Sequence, residues 1–96
     1  MLEAKRLVAS EHFNATKRVR NFIRNHTGQM ETVKEIFRST YEENFVKSIE
    51  LNILPGTYAD VYLVNHDGEK WYLKFYVDGD KTLVQVLSCN IDGYIH

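Results

Sequence analysis

Ninety-six residues, 44% of them hydrophobic and 12% aromatic, make one folded domain and exclude both a two-domain enzyme and a disordered chain. The formal net charge is −1, yet residues 1–48 carry nine Lys/Arg against six Glu and residues 49–96 three against seven acidic groups, so the total hides a basic front and an acidic back. The lone Cys89 allows no internal disulfide, no Cys/His spacing suits zinc, and no apolar run nears the roughly 20 residues of a bilayer span; a cytoplasmic setting with no metal, cofactor or membrane is expected.

In chain order, Ala4, Leu7 and Val8, then Val19, Phe22 and Ile23, then Met30, Val33 and Phe37 recur at helical spacing and predict three amphipathic helices. Between the first two, His12–Thr16 reads as a short strand or a turn, with Asn14 as a cap. Thr40 and Glu43 form a T-x-x-E capping box, followed by Tyr41, Phe45 and Ile49 at i, i+4 and i+8, which predicts a fourth helix over 40–50. Leu54-Pro55-Gly56, with the only proline, is expected to separate a mainly helical 1–50 from a sheet over 57–96.

Beyond it the period becomes two. Trp71, Leu73, Phe75 and Val77 alternate with Lys70, Tyr72, Lys74 and Tyr76, the pattern of a strand with one buried face. Flanking segments 58–65 and 82–89 are joined to it through His66-Asp67-Gly68 and Asp78-Gly79-Asp80, both hairpin-like. The tail 90–96 either frays or adds a short strand after Asp92-Gly93. The expected architecture is α+β in a single domain: N-terminal helices packed on one face of a C-terminal antiparallel three- to four-stranded sheet, with Trp71, Leu73 and Phe75 towards the helices.

That register leaves Tyr72, Lys74 and Tyr76 together on the open face, about 7 Å apart in steps of two residues. An aromatic–cation–aromatic row suits single-stranded RNA, since the rings can stack on bases and the ammonium can answer phosphate; good strand propensity on a solvated face accounts for the same residues without function. The first 24 residues hold six basic side chains, Arg20 and Arg24 among them, against two acidic ones, a candidate polyanion footprint or an ordinary solvated helix face. Lys47 falls outside the Tyr41, Phe45, Ile49 stripe of the expected fourth helix, either simply solvated or near the sheet edge beside a phosphate. The histidines are scattered, and Asp78-Gly79-Asp80 lacks the further ligands of a calcium loop. Without a phosphate cradle, nucleophile triad or metal cluster, any catalysis is to be metal-free and built from Lys, Tyr and Arg, with His as a further option if the His66 turn reaches the site.

The ordered series Glu43-Asn44-Phe45-Val46-Lys47-Ser48-Ile49, Asp60-Val61-Tyr62, Tyr72-Leu73-Lys74-Phe75 and Leu87-Ser88, with Ala4-Lys5-Arg6-Leu7-Val8 at the start, resembles the MqsR family of toxin–antitoxin ribonucleases. Each motif is short; order and spacing carry the likeness over nearly the whole chain. The resemblance implies a RelE-like fold, metal-independent endonucleolytic cleavage of mRNA, a cognate antitoxin as partner, and catalytic roles for Lys47 and Tyr72. Lys74 joins them as a candidate for stabilising the pentacoordinate phosphate, and Tyr76, Arg20 and Arg24 as RNA-binding candidates. The family's glutamine before D-V-Y is Ala59 here, and its lysine after V-S-F is Asn90. Both departures remove groups that would contact RNA. A non-catalytic RNA- or protein-binding module of the same fold is therefore the alternative expectation. A nucleic-acid-mimicking inhibitor is a third, for which the seven acidic groups of the second half are widely dispersed.

Overall fold

The computed structural model describes residues 1–93. Three helices, α1 (Leu2–Ala9), α2 (Lys17–His26) and α3 (Glu31–Arg38), occupy the N-terminal part, and five strands, β1 (Phe13–Ala15), β2 (Phe45–Leu51), β3 (Leu54–His66), β4 (Glu69–Val77) and β5 (Val84–Ile91), form one sheet in the order β1-β5-β4-β3-β2. The short β1 runs parallel to β5, and every other neighbour is antiparallel. The α+β class and the single covered face are as the periodicities predict; the sheet has five strands because β1 and β2 join the expected meander at its two edges, and it is mixed because β1 is parallel to its neighbour.

The three helices arise where the apolar spacing places them. The cap of α2 is Thr16 rather than Asn14: its side chain accepts a hydrogen bond from the Val19 N–H at 3.3 Å. That helix ends at Gly28, whose N–H reaches the Ile23 carbonyl at 3.0 Å with φ +79°, the left-handed geometry that glycine adopts without a Cβ penalty. Asp67-Gly68 has positive φ at both positions (51° and 76°) and closes a tight β3–β4 hairpin in which His66 pairs with Glu69. The second connector is longer. Asp78 and Leu83 close it by a backbone bond of 2.9 Å, and the Asp80 carboxylate accepts from the Thr82 N–H and hydroxyl, so these aspartates serve turn geometry.

Trp71, Leu73 and Phe75 point into a core shared with Val19, Ile23 and Phe37 of α2 and α3. Their burial contributes roughly 1.5–3 kcal/mol of gross drive each, enough to select this register over one slipped by a residue. Phe22 and His26 both meet the Trp71 ring edge-on, at 5.9 and 5.7 Å between centroids.

The predicted helix over 40–50 does not form. Thr40 belongs to the end of α3, where its buried hydroxyl donates to the Ile36 carbonyl at 2.6 Å, so it cannot cap a following helix. Instead the Asn44 side chain accepts from the Tyr41 N–H at 2.7 Å around a single 3-10 turn, Glu42–Asn44, and the chain then extends as β2 against β3. Val46 and Ile49 are β-branched, and pairing along a whole strand outweighs the local cap. The stripe that implied a core face is largely solvated, with Tyr41 56% and Phe45 44% exposed. Helix therefore ends at Arg38, not near residue 50, and Pro55 lies at the start of β3 rather than at the helix-to-sheet boundary. The expected alternatives for the tail, insofar as they concern residues 94–96, lie outside the described residues.

Candidate nucleic-acid interface

The face of the sheet turned away from the helices is built by register. Lys47 on β2 pairs with Val61 on β3, Val61 with Lys74 on β4, and Lys74 with Ser88 on β5, so one row crosses four strands. The neighbouring row runs Leu63, Tyr72, Asn90, and Tyr76 pairs with Gln85 further along. Adjacent strands are about 4.8 Å apart, which sets the Lys47 and Lys74 backbones about 10 Å from each other on one face.

Two bulges make this possible. Phe45 pairs with Tyr62 but Lys47 with Val61, leaving Val46 unmatched; Lys74 pairs with Ser88 but Phe75 with Val86, leaving Leu87 unmatched. In an unbroken strand, Phe45 and Lys47 would share a face, as would Val86 and Ser88. The extra residue lets Phe45 turn to Tyr62 on the helix side, ring centroids 5.4 Å apart, while Lys47 turns to the open side. Likewise Val86 enters the core while Ser88 and Asn90 line the open face. Both lysines thus sit beside a bulge, a device that re-aims side chains.

Around Tyr72 and Lys74 the face is concave. A cavity of about 330 Å³ is lined by Arg18, Tyr72, Lys74, Ser88, Asn90, Asp92 and Gly93. Arg18 comes from the first turn of α2. It belongs to this wall because β1 pairs with β5 only over Val84–Val86, so the second half of β5 lacks a strand beside it. Ser88 and Asn90 are 7% and 5% exposed, and Asn90 turns its amide donor to the Ile91 carbonyl at 3.0 Å. Two cations face one carboxylate, Asp92, so the wall is net positive. Tyr72, Lys74 and Arg18 can together hold an anion with a flat group beside it.

Of the residues singled out in the sequence, Tyr72 and Lys74 share this cavity, and Tyr76 lies on the same strand and face. Lys47 is on a strand rather than a helix; it shares the face but sits two strands away and does not line the cavity. Arg20 and Arg24 do not line it either: Arg20 donates to the Ala15 carbonyl at 3.1 Å, and Arg24 is exposed elsewhere on α2. Arg18, Ser88 and Asn90 are additions. Register with Tyr72 and Lys74 could have suggested the last two, had the Leu87 bulge been visible. Ala59 and Val61 are fully buried although they belong to the open side, outside the helix-facing core.

Other titratable groups lie off this face. The Tyr62 phenol is pushed up to about 12, first by burial and then by Glu42 and Asp60, and burial alone pushes the Cys89 thiol up to about 12. Among the described residues no group of three or more His, Cys, Asp or Glu side chains is placed to hold a metal ion, and no helix is long and apolar enough to cross a membrane. No family model matches the chain, and no curated protein matches its sequence.

Proposed function

We propose that the chain binds single-stranded RNA across the open sheet face and cleaves it at Tyr72 and Lys74 without a metal cofactor, as an mRNA-directed endoribonuclease held in check by a partner protein. The observation that carries this reading is the joining of Arg18, Lys74 and Tyr72 in one concave wall, with Lys47 in the same cross-strand row as Lys74. The ordered motifs that resemble the MqsR toxins supply the reaction class and the partner, and the RelE-like likeness rests on them as well.

The chemistry is attack of a ribose 2′-oxygen on the adjacent phosphorus, with the 2′-O–P bond forming as the P–O5′ bond breaks. Lys74 and Arg18 donate to the non-bridging oxygens as negative charge builds there. The Tyr72 hydroxyl donates a proton to the departing 5′-oxygen, and the 2′-proton passes to solvent, leaving a 2′,3′-cyclic phosphate and a 5′-hydroxyl. Lys47, about 10 Å away across Val61, holds a neighbouring phosphate of the same strand, a binding role rather than a catalytic one.

A non-catalytic RNA-binding module is the second reading, favoured by Asp92, whose carboxylate shares the wall with the two cations and opposes a second negative charge. Incubating the purified protein with a defined mRNA in EDTA decides between them. Cleavage to cyclic-phosphate ends that is lost in Tyr72→Phe and Lys74→Ala supports the nuclease. Salt-sensitive binding without cleavage supports the module, and neither binding nor cleavage overturns both.

A further inference from the structure

Attack by a ribose 2′-oxygen requires its proton to leave as the bond to phosphorus forms, and a positioned acceptor within about 2.6–3.2 Å speeds that step. The described lining of the Tyr72 cavity is Arg18, Tyr72, Lys74, Ser88, Asn90, Asp92 and Gly93, and its chemistry narrows the choice of acceptor. Arg18 and Lys74 are cations and donate only. The Tyr72 hydroxyl is already assigned to the departing 5′-oxygen, and neither the Ser88 hydroxyl nor the Asn90 amide is a base. Asp92 brings the single carboxylate, which is acceptor-only when ionised.

The backbone sets where that carboxylate stands. Tyr72 pairs with Asn90, and just past the end of β5 the Asp92 N–H donates to the Lys70 carbonyl at 2.8 Å. The open-face row Ser88, Asn90, Asp92 therefore continues at alternate positions, and Asp92 becomes the diagonal neighbour of Tyr72, about 7–8 Å away. In-line displacement asks for such a spacing. The attacking and leaving oxygens lie on opposite sides of phosphorus, so acid and base must stand further apart than a direct hydrogen bond. The Asp92 side chain is exposed, and among the described residues its carboxylate has no ion pair or hydrogen bond, although two cations share its wall. Its lone pairs are open to a substrate hydroxyl.

We infer that Asp92 is the general base of the proposed cleavage, an inference that rests on the nuclease reading. Its carboxylate takes the proton of the 2′-hydroxyl as the 2′-O–P bond forms. The P–O5′ bond breaks, and the Tyr72 hydroxyl gives its proton to the 5′-oxygen. Asp92 then releases the 2′-proton to solvent, and Tyr72 recovers one from solvent, so the cycle closes. The charge balance favours the transition state. Before transfer the wall holds two cations against one carboxylate; after it, two cations face the pentacoordinate phosphate unopposed, at the moment its non-bridging oxygens gain negative charge. The carboxylate that would repel bound phosphate is thus neutral when repulsion would matter most.

The test uses the full-length protein, a defined RNA in EDTA, and the same RNA with sulfur in place of the 5′-bridging oxygen at the cleaved bond. Sulfur leaves as a thiolate and needs no proton from an acid. Asp92→Asn is expected to lower the cleavage rate at saturating RNA by about 100-fold or more without weakening RNA binding, with folding checked by circular dichroism. The sulfur substrate should restore most of the rate to Tyr72→Phe and none to Asp92→Asn, a split that a merely structural role for Asp92 would not produce. Cleavage by Asp92→Asn within about threefold of the parent overturns the base while leaving the nuclease reading intact. Rescue of Asp92→Asn by sulfur overturns it as well. A parent protein that binds both RNAs and cleaves neither removes the nuclease reading and the base together.

Discussion

The two faces of β4 differ in one step of the chain and in almost everything else. Trp71, Leu73 and Phe75 are sealed under three helices, whereas Tyr72, Lys74 and Tyr76, each one residue along, are half-buried in a face that no helix covers. The first set is held by area removed from water, which tolerates little change; the second is fixed in place by the backbone that the first set anchors. A sheet covered on one side therefore provides a rigid platform whose outer residues can be chosen for chemistry at little cost in stability.

The sharpest break in that contrast is Trp71→Ala, expected to cost about 3–5 kcal/mol and a large drop in the urea midpoint. Lys74→Ala should leave the urea midpoint within about 0.5 kcal/mol of the parent while cutting RNA cleavage about 100-fold or more. A platform variant that unfolds, or a core variant that does not, would erase the distinction between the faces.

Alkaline pH tests the buried acids of the sealed side. Cys89 and Tyr62 hold their protons more tightly when folded, both near 12, than in the unfolded chain, where a thiol loses its proton near 8.5 and a phenol near 10. Between those values the unfolded state binds fewer protons, so stability is complete below about pH 8.5 and falls as pH rises towards 12. Urea unfolding at pH 7 and about pH 10 should show the loss, and Cys89→Ala should flatten it. The smallest effect is that of Lys47→Ala. It should leave the cleavage rate at saturating RNA nearly unchanged, weaken binding, and lower the slope of log affinity against log salt by about one.

How much of this was legible depended on whether the signal was local. The alternation over residues 70–77 reports a buried and an open face because both belong to one strand, and it placed Tyr72 and Lys74 correctly. The T-x-x-E box at Thr40 is equally local, but it competes with pairing to β3, whose partner residues lie a dozen positions on, and it lost. The bulges at Val46 and Leu87 leave no mark in hydropathy, yet they decide which side Lys47, Ser88 and Asn90 occupy. Among the arginines of α2, helical spacing shows only that several are solvated. Arg18 is distinguished by the early end of β1, a tertiary fact. The histidines looked scattered along the chain, and folding gathers His26 and His66 around the Trp71 end of the sheet.

The position of β2 as the outermost strand has a mechanical consequence. Its backbone is laddered to β3 alone, so the ribbon can peel away while β4 and β5, the two strands that carry the Tyr72 cavity, stay zipped together. Grip on a long polymer would then loosen at the Lys47 end first, releasing one phosphate at a time. Amide exchange over Phe45–Leu51 should accordingly run faster than over Trp71–Phe75 and slow when RNA spans both.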